Sequence, residues 1–223
     1  SSKSIMCNNP FIWVQNTASS GDEMYGWIQG YWLMKGAHIA KEMLEDWFVN
    51  GMTVGIETLF DNINETLGRG TCCTMVVVVI SGNVATIAHV GRFRVWVNGT
   101  LMPVHTSESE IAAHPDLFDD YEKIFKAVEC NYFFGRCLGG PKAASSVPSV
   151  VRTDSKGLSV IMASHGFHRT HEKLRQYFPD VEHDDYRTAE SGDQMQKIFE
   201  DMLQIRTLKP CPAVALILHN NNM

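Results

Sequence analysis

The sequence predicts an α+β domain, and three features carry this prediction. A continuous, mostly β-branched run at 73–80, a turn at 81–83 and a second apolar run at 84–90 together indicate a β-hairpin. Two earlier stretches repeat apolar residues at helical spacing. The apolar run from Leu158 to Ala163 is too short for a helix and lies between glycines, so it predicts a buried strand that ends in a turn.

Length and composition predict one domain, spanning residues 1–223. The chain has 223 residues, of which 44% are hydrophobic and 10% aromatic, enough to bury one large core. Its formal net charge of −6 argues against a general nucleic-acid binder. No apolar run approaches the ~18 to 20 residues of a membrane span and no leader is visible, so we expect no membrane partner.

The six cysteines predict a reduced, cytoplasmic protein. They are spread thinly along the chain, and adjacent Cys72 and Cys73 would point to opposite faces of a strand. This spacing differs from that of a disulfide framework. We therefore expect free thiols and a cytosolic location.

The two helical stretches follow each other before the hairpin. The apolar positions of the first are Ala40, Met43, Leu44, Trp47 and Phe48, and those of the second are Ile56, Leu59, Phe60, Ile63 and Leu67. Their spacing predicts two amphipathic helices lying on a sheet. A third helix is indicated later in the chain by Met195, Ile198, Phe199, Met202 and Leu203.

Other stretches complete the predicted order of elements. Residues 11–15 are expected to form a first strand, and 91–97 a strand after the hairpin. The pattern over 106–140 is polar and then helical, and 174–178 is a short amphipathic piece. The chain closes on an apolar run at 211–218, which predicts a last strand.

Four blocks of this sequence, in order, resemble the metal-dependent type-2C protein phosphatases. Residues 25–33 are similar to the family's apolar residue followed by Gly-Val-Phe-Asp-Gly-His-Gly-Gly, and 88–94 to its Val-Ala-Asn-Val-Gly-Asp-Ser-Arg-Ala. Residues 134–140 resemble Leu-Ala-Val-Ser-Arg-Ala-Leu-Gly-Asp, and 158–169 resemble an apolar strand followed by Ala-Ser/Thr-Asp-Gly-Leu-Trp-Asp. The resemblance extends from Tyr25 to Leu218 and implies a four-layer αββα sandwich of two antiparallel sheets flanked by helices.

The carboxylates of the family pattern are replaced in this chain. The positions that match the family's metal ligands and other site residues are Gln29, Gly30, Arg92, Gly140, His165, Gly166, Arg169, Cys211 and Pro212. None of these residues is acidic. In the family, hydrolysis uses two Mg²⁺ or Mn²⁺ ions ~3.5 to 4 Å apart, which need several carboxylates around them. The resemblance, with these departures, therefore implies no bound metal and no other cofactor.

Several roles are open for His165. It is expected to be a structural residue at the strand end, with a metal ligand or a catalytic acid as alternatives. Together with Cys211, His168 and His89 it could form a zinc site, although the spacing matches no zinc signature. Cys211 could instead be a nucleophile paired with His165, but no phosphatase loop of the form Cys-X5-Arg accompanies it.

Two arginines bring positive charge to positions that are acidic in the family. Arg92 and Arg169 could make the emptied pocket basic, able to take an anion such as a phosphorylated side chain. They could instead close the pocket by pairing with neighbours such as Glu172. Tyr31 and Trp32 could fill the same space or present an aromatic anchor to a partner.

We therefore expect a catalytically inactive phosphatase-like domain, not an enzyme, that serves as a scaffold or regulatory binding module. The family offers a precedent in the adaptor that binds and activates the TGF-β-activated kinase. Its Asp-Gly-His motif is also eroded, and the run from Gln29 to Tyr31 is similar to that erosion. This implies a protein partner, such as a protein kinase. Two alternatives stay open: a divergent phosphoester hydrolase with a rebuilt site, and a domain that senses a phosphorylated ligand.

Overall fold

A computed structural model describes most of the chain in seven segments. These are residues 11–30, 34–68, 71–105, 136–139, 147–177, 184–203 and 213–219. Two antiparallel sheets pack face to face, and helices cover the outer face of each sheet. The predicted α+β class and the four-layer αββα sandwich are therefore confirmed.

The first sheet contains the long strands of the N-terminal part. In chain order its strands are β1 (Phe11–Thr17), β2 (Glu23–Gly30), β3 (Cys72–Ser81), β4 (Val84–Val90), β7 (Leu138–Gly139) and β8 (Ser149–Asp154). The spatial order is β1-β2-β3-β4-β8, and β7 pairs with the start of β3. The predicted hairpin is present as β3 and β4.

The second sheet is smaller. Its strands are β5 (Arg94–Val97), β6 (Thr100–Leu101), β9 (Leu158–Ala163) and β10 (Val214–His219). The spatial order is β10-β9-β5-β6, with β9 at the centre between β10 and β5. The apolar run that the sequence marks as a buried strand is thus an interior strand of this sheet.

In the part of the chain that the structure describes, four helices form the outer layers. Helices α1 (Lys35–Val49) and α2 (Ile56–Leu67) pack their apolar faces on the first sheet, as their spacing predicts. Helices α3 (His165–Tyr177) and α4 (Gly192–Leu203) cover the second sheet, with a short 3-10 turn at Tyr186–Thr188 between them. Within the described segments, no helix is both long and apolar enough to cross a membrane.

The alternation of side chains along β3 explains why its sequence is apolar at every position. Val77 and Val79 face α1 and α2, whereas Val76 and Val78 face the second sheet. A strand that is covered on both faces by packed layers buries both sets of side chains.

Aromatic rings pack between the two sheets. The centroid of the Trp27 ring lies 5.4 Å from that of Phe11 and 5.5 Å from that of Phe93.

Two boundaries differ from the sequence prediction. Helix α3 begins at His165, directly after β9, whereas the sequence indicated only an amphipathic piece at 174–178. The reason is Ser164, whose Oγ accepts a hydrogen bond from the backbone N–H of Phe167 at 3.1 Å and so satisfies a donor of the first helical turn. Strand β5 begins at Arg94 and not at Gly91, because the backbone of Gly91 adopts φ +121°.

Candidate functional site

The residues that match the family's site converge at one end of the sandwich, which we call the apex. We define the apex as Arg92, Arg94, His165 and Arg169, which come from the start of β5 and the start of α3. Arg94 is the register partner of Ala163, the last residue of β9, so β5 starts where α3 starts. This pairing brings side chains that are far apart in sequence to the same place.

Gln29 lies at the same end of the first sheet. It is half-buried on β2 and is the register partner of Thr74 on β3. Thr74 in turn contacts Gly91, where a Cβ atom would lie 2.3 Å from the Cβ of Thr74. Only glycine permits this close approach together with the positive φ of that residue. The turn at Gly91 therefore sets the position of Arg92 next to the end of β9.

His165 contacts Arg92 directly. The Nη2 atom of Arg92 lies 3.4 Å from Nε2 of His165. A guanidinium only donates hydrogen bonds, so Nε2 is the acceptor and the proton of the neutral imidazole resides on Nδ1. Within the described segments, this buried Nδ1 has no hydrogen-bond partner. His165 therefore presents an N–H donor that no described residue accepts, among three arginines.

His165 in the apex and the nearby His168 are neutral near pH 7. Burial lowers the pKa of His165 to about 4, and the charges of Arg92, Arg94 and Arg169 act in the same direction. The pKa of His168 is also lowered to about 4, chiefly by burial, and its Nδ1 lies 2.8 Å from the hydroxyl of Tyr186. The environment thus disfavours any further positive charge at this place.

The side chains that the described residues bring to the apex do not fit the metal pair of the phosphatase family. Hard dications such as Mn²⁺ and Mg²⁺ take oxygen ligands and need carboxylates to offset their mutual repulsion. The apex offers guanidinium groups and an imidazole, and Gln29 at the same end of the first sheet offers an amide. Among the residues that the structure describes, no three His, Cys, Asp or Glu side chains are grouped as a metal site. The zinc alternative with His89 and His168 likewise finds no support in those segments.

Some of the predicted site residues lie outside the described segments. These are Tyr31, Trp32, Gly140, Cys211 and Pro212. Their predicted roles, including the nucleophile alternative and the filling of the emptied pocket, stay predictions. The predicted pair of Arg169 with Glu172 differs from the contacts present: the carboxylate of Glu172 lies 3.7 Å from Arg187 and 3.9 Å from the ring of His171.

A second group of histidines packs next to the turn that carries Arg92; the sequence analysis named His89 only as a possible zinc ligand and missed His105. We call His89 and His105 the histidine pair; their rings stack with centroids 4.5 Å apart. The backbone N–H of Gly91 donates to Nδ1 of His105 at 3.2 Å, so Nε2 of that ring carries the proton, 2.8 Å from Oγ of Ser149. The pair thus holds the turn that positions Arg92. No spacing or motif in the sequence marks His105.

The histidine pair is neutral near pH 7. His89 is fully buried and His105 is 2% exposed. Burial lowers the pKa of His89 to about 4 and that of His105 to about 2. Nε2 of His89 donates to the carbonyl of Pro103 at 3.0 Å, since a carbonyl only accepts. Both rings are therefore neutral in the folded protein and have a structural role through their hydrogen bonds.

Comparison with known proteins finds solved structures with a similar fold. No family model and no curated protein matches the sequence. Among solved structures, a bacterial serine phosphatase is 13% identical with a TM-score of 0.66, and the match covers 99% of this chain and 97% of that one. A serine/threonine phosphatase from Staphylococcus aureus is 12% identical with a TM-score of 0.65, over 95% of this chain and 89% of that one.

A third structure bears on the question of catalysis. It is the catalytic domain of a serine/threonine protein phosphatase in complex with two manganese ions, 11% identical with a TM-score of 0.56, and the match covers 94% of this chain and 98% of that one. These structures contradict the expectation that this chain is not an enzyme, because the proteins that share its fold are phosphatases. An altered donor set is a statement about metal ligands and does not by itself establish inactivity.

The likeness extends over 89 to 98% of each matched chain. At 11 to 13% identity it establishes architecture, and the activities of those proteins remain theirs. The chain therefore has the fold of the type-2C serine/threonine phosphatases.

Proposed function

We propose that this domain recognises phosphoryl groups on signalling proteins at its basic apex, and that it acts as a regulatory binding module for such a partner. The observation that carries this proposal is the N–H at Nδ1 of His165, a buried donor without an acceptor in the described segments, set among Arg92, Arg94 and Arg169. A phosphate offers the acceptors and the negative charge that this arrangement lacks.

The electrostatics favour an anion over a cation. Burial is the main cause of the lowered pKa of His165, and the charges of three guanidinium groups add to it, so positive charge surrounds the ring although the chain carries a net charge of −6. An anion placed there would interact favourably with each arginine. Arginine also matches the planar, bidentate geometry of phosphate oxygens better than lysine does.

Access to the apex is compatible with a group carried on another protein. Arg169 is exposed near the start of α3, and His165 and Arg92 are half-buried. A phosphorylated side chain could meet Arg169 first and reach His165 at the end of its path. A protein kinase as the partner rests on the likeness of the run from Gln29 to Tyr31 to an eroded adaptor motif, and it stays a prediction.

A second candidate function is hydrolysis of a phosphoester at the same apex. The observation in its favour is the fold likeness to serine/threonine phosphatases over nearly the whole chain. Hydrolysis needs the phosphoryl group to be bound first, so the two functions share their first step. They differ in whether inorganic phosphate is released.

The test compares matched peptides with the intact chain. Fluorescence polarisation with phosphoserine or phosphothreonine peptides and their unphosphorylated twins should show binding of the phosphorylated member only. Arg92→Ala should weaken that binding by about tenfold or more, the loss expected for a charge-assisted hydrogen bond. Arg152→Ala is the matched control, because Arg152 lies on β8 and pairs with Glu57 at 2.8 Å, away from the apex.

The same samples distinguish the two candidate functions. Release of inorganic phosphate is measured with and without added Mn²⁺. Binding without release supports the regulatory module, and release that Arg92→Ala abolishes supports hydrolysis at the apex. Equal binding of phosphorylated and unphosphorylated peptides across the panel would contradict both functions.

A further inference from the structure

Three thiols gather where β7 pairs with β3. Cys72 and Cys73 open β3, and Cys137 directly precedes β7. In the antiparallel register, Cys72 is opposite Gly139 and Cys73 is opposite Leu138. All three cysteines are buried and carry free thiols.

The alternation of side chains separates one thiol from the other two. Cys73 packs in the core beneath α1 and α2, together with Leu138. Cys72 faces the opposite side of the sheet, as does Cys137, which is two residues before Gly139. Cys72 and Cys137 are therefore diagonal neighbours on one face of this antiparallel pair.

The thiol groups of Cys72 and Cys137 lie close enough to hydrogen-bond. The single S–H proton of Cys137 has two acceptors, the carbonyl of Gly139 at 3.3 Å and the sulfur of Cys72. The hydrogen bond from Cys137 lowers the pKa of Cys72, against the effect of burial, whereas the pKa values of Cys73 and Cys137 are raised. Thiolate character is thus concentrated on Cys72, the sulfur that would react first.

We propose that Cys72 and Cys137 form a reversible disulfide when the protein meets a peroxide, and that this bond fastens residues 136–139 to β3. The thiolate of Cys72 attacks one peroxide oxygen, the O–O bond breaks, and one water leaves after protonation, giving a sulfenic acid. The sulfur of Cys137 then attacks the sulfur of Cys72, the S–O bond breaks, and the hydroxyl leaves as a second water with the proton of Cys137. Two thiols are oxidised and one peroxide is reduced.

Small differences in exposure favour this pair over Cys73. Cys137 is 9% exposed and Cys72 is 4% exposed, whereas Cys73 is fully buried. A small oxidant such as hydrogen peroxide therefore reaches the first two sulfurs more readily. Oxidation is selective for thiols that combine access with thiolate character.

The bond would connect two parts of the fold that noncovalent contacts already hold together. The N–H of Gly139 donates to Oδ1 of Asn64 on α2 at 2.8 Å. Nη1 of Arg136 donates to the carbonyl of Val147 at 3.1 Å and lies 3.5 Å from the ring of His105. A disulfide at Cys137 would link this segment covalently to β3.

The experiment uses the full chain, treated with hydrogen peroxide, alkylated without reduction and digested. Mass spectrometry should identify one linked peptide pair, joining Cys72 to Cys137. The melting temperature should rise by several degrees and return to its starting value after dithiothreitol. Cys72→Ala and Cys137→Ala should each abolish the linkage and the shift, whereas Cys73→Ala, the matched neighbour, should retain both.

Two outcomes would overturn the proposal. One is a linkage that joins Cys137 to Cys73 or to Cys130 in place of Cys72. The other is that Cys72 and Cys137 both remain alkylatable after prolonged treatment of the folded chain with excess peroxide. Both outcomes are read on the unsubstituted protein, so the proposal can fail even if a variant does not fold.

Discussion

The histidine pair, His89 and His105, and the apex residue His165 all have a lowered pKa, but their surroundings differ. His89 and His105 are buried, stacked, and donate to the carbonyl of Pro103 and toward the hydroxyl of Ser149. His165 is half-buried beside Arg92, and its buried Nδ1 has no hydrogen-bond partner in the described segments. Burial is the largest cause of the shift in each case.

The contrast shows that a shifted pKa alone does not mark a functional group. Within the described segments Nδ1 of His89 also has no hydrogen-bond partner, but that atom is an unprotonated acceptor inside the core. At the apex, Nδ1 of His165 is a protonated donor next to guanidinium groups and has no partner in the same segments. Only the second arrangement calls for an anion, because a donor among cations gains from a negatively charged acceptor.

The largest effect is expected where the two groups meet, at Gly91. Gly91→Ala would place a Cβ 2.3 Å from the Cβ of Thr74 in a backbone conformation with φ +121°, so we expect a loss of roughly 3 kcal/mol or more in the free energy of unfolding. Urea denaturation measures it. Gly82→Ala is the control: Gly82 has φ +56° but no atom near its added Cβ, so only about 1 kcal/mol should be lost.

If Gly82→Ala costs as much as Gly91→Ala, the backbone conformation alone would explain the loss. The close contact with Thr74 would then have no special role. The comparison between the two glycines therefore isolates the packing at the turn that carries Arg92.

The next effect is an acid-dependent loss of stability from the histidine pair. The folded pKa values of about 4 for His89 and about 2 for His105 lie below the ordinary value of 6.5, so the unfolded chain binds protons first. Their contribution to stability is complete above pH ~6.5 and is lost as the pH falls, by about 1.4 kcal/mol per pH unit for each ring between roughly pH 6 and 4.

His89→Leu separates this effect from general acid unfolding. Removing one titrating ring should reduce the slope of the unfolding free energy against pH by about 1.4 kcal/mol per unit between pH 6 and 4. At pH 7 the variant should be less stable by about 1 to 3 kcal/mol, since the carbonyl of Pro103 loses its donor. His38→Leu, on the exposed side of α1, is the control, and an equal reduction there would contradict a special role for the pair.

The smallest effect on stability is expected at the apex. His165→Ala should change the free energy of unfolding by less than about 1 kcal/mol, because the ring is half-buried and its Nδ1 makes no hydrogen bond within the described segments. The same substitution should weaken binding of a phosphorylated peptide by about fivefold to tenfold. Chemical denaturation and fluorescence polarisation on the same sample give both numbers.

The opposite result for His165→Ala would show that His165 and the histidine pair have the same role. If His165→Ala destabilises the protein strongly and leaves peptide binding unchanged, His165 is a structural residue like His89. The expectation from the sequence, a structural histidine at a strand end, would then be correct.

Much of the architecture could be predicted from the sequence because it depends on local patterns of apolar residues. The apolar run of β3, the helical spacing in α1 and α2 and the short apolar β9 each indicated the element that is present. The start of α3 could not be predicted in this way. It depends on the cap at Ser164, and Ser164 also accepts a hydrogen bond from the N–H of Ala213, near the end of the chain.

Some features of the candidate site could likewise be predicted from the sequence, and others could not. The loss of carboxylates at Gln29, Arg92, His165 and Arg169 was visible in the sequence, because it is a matter of residue type at matched positions. The contribution of Arg94, the role of His105 and the proximity of Cys72 to Cys137 were not visible. Each of these depends on the register between strands that are distant in sequence.

By itself, the sequence determined the class, the order of the elements and the chemical types available at the apex, since periodicity and residue identity are local properties. Only the tertiary structure decided which side chains meet. Arg92 and His165 are separated by 73 positions, and their contact exists because β5 pairs with β9 in one register. That contact fixes the tautomer of His165, and the tautomer decides whether the apex presents a donor or an acceptor to an incoming ligand.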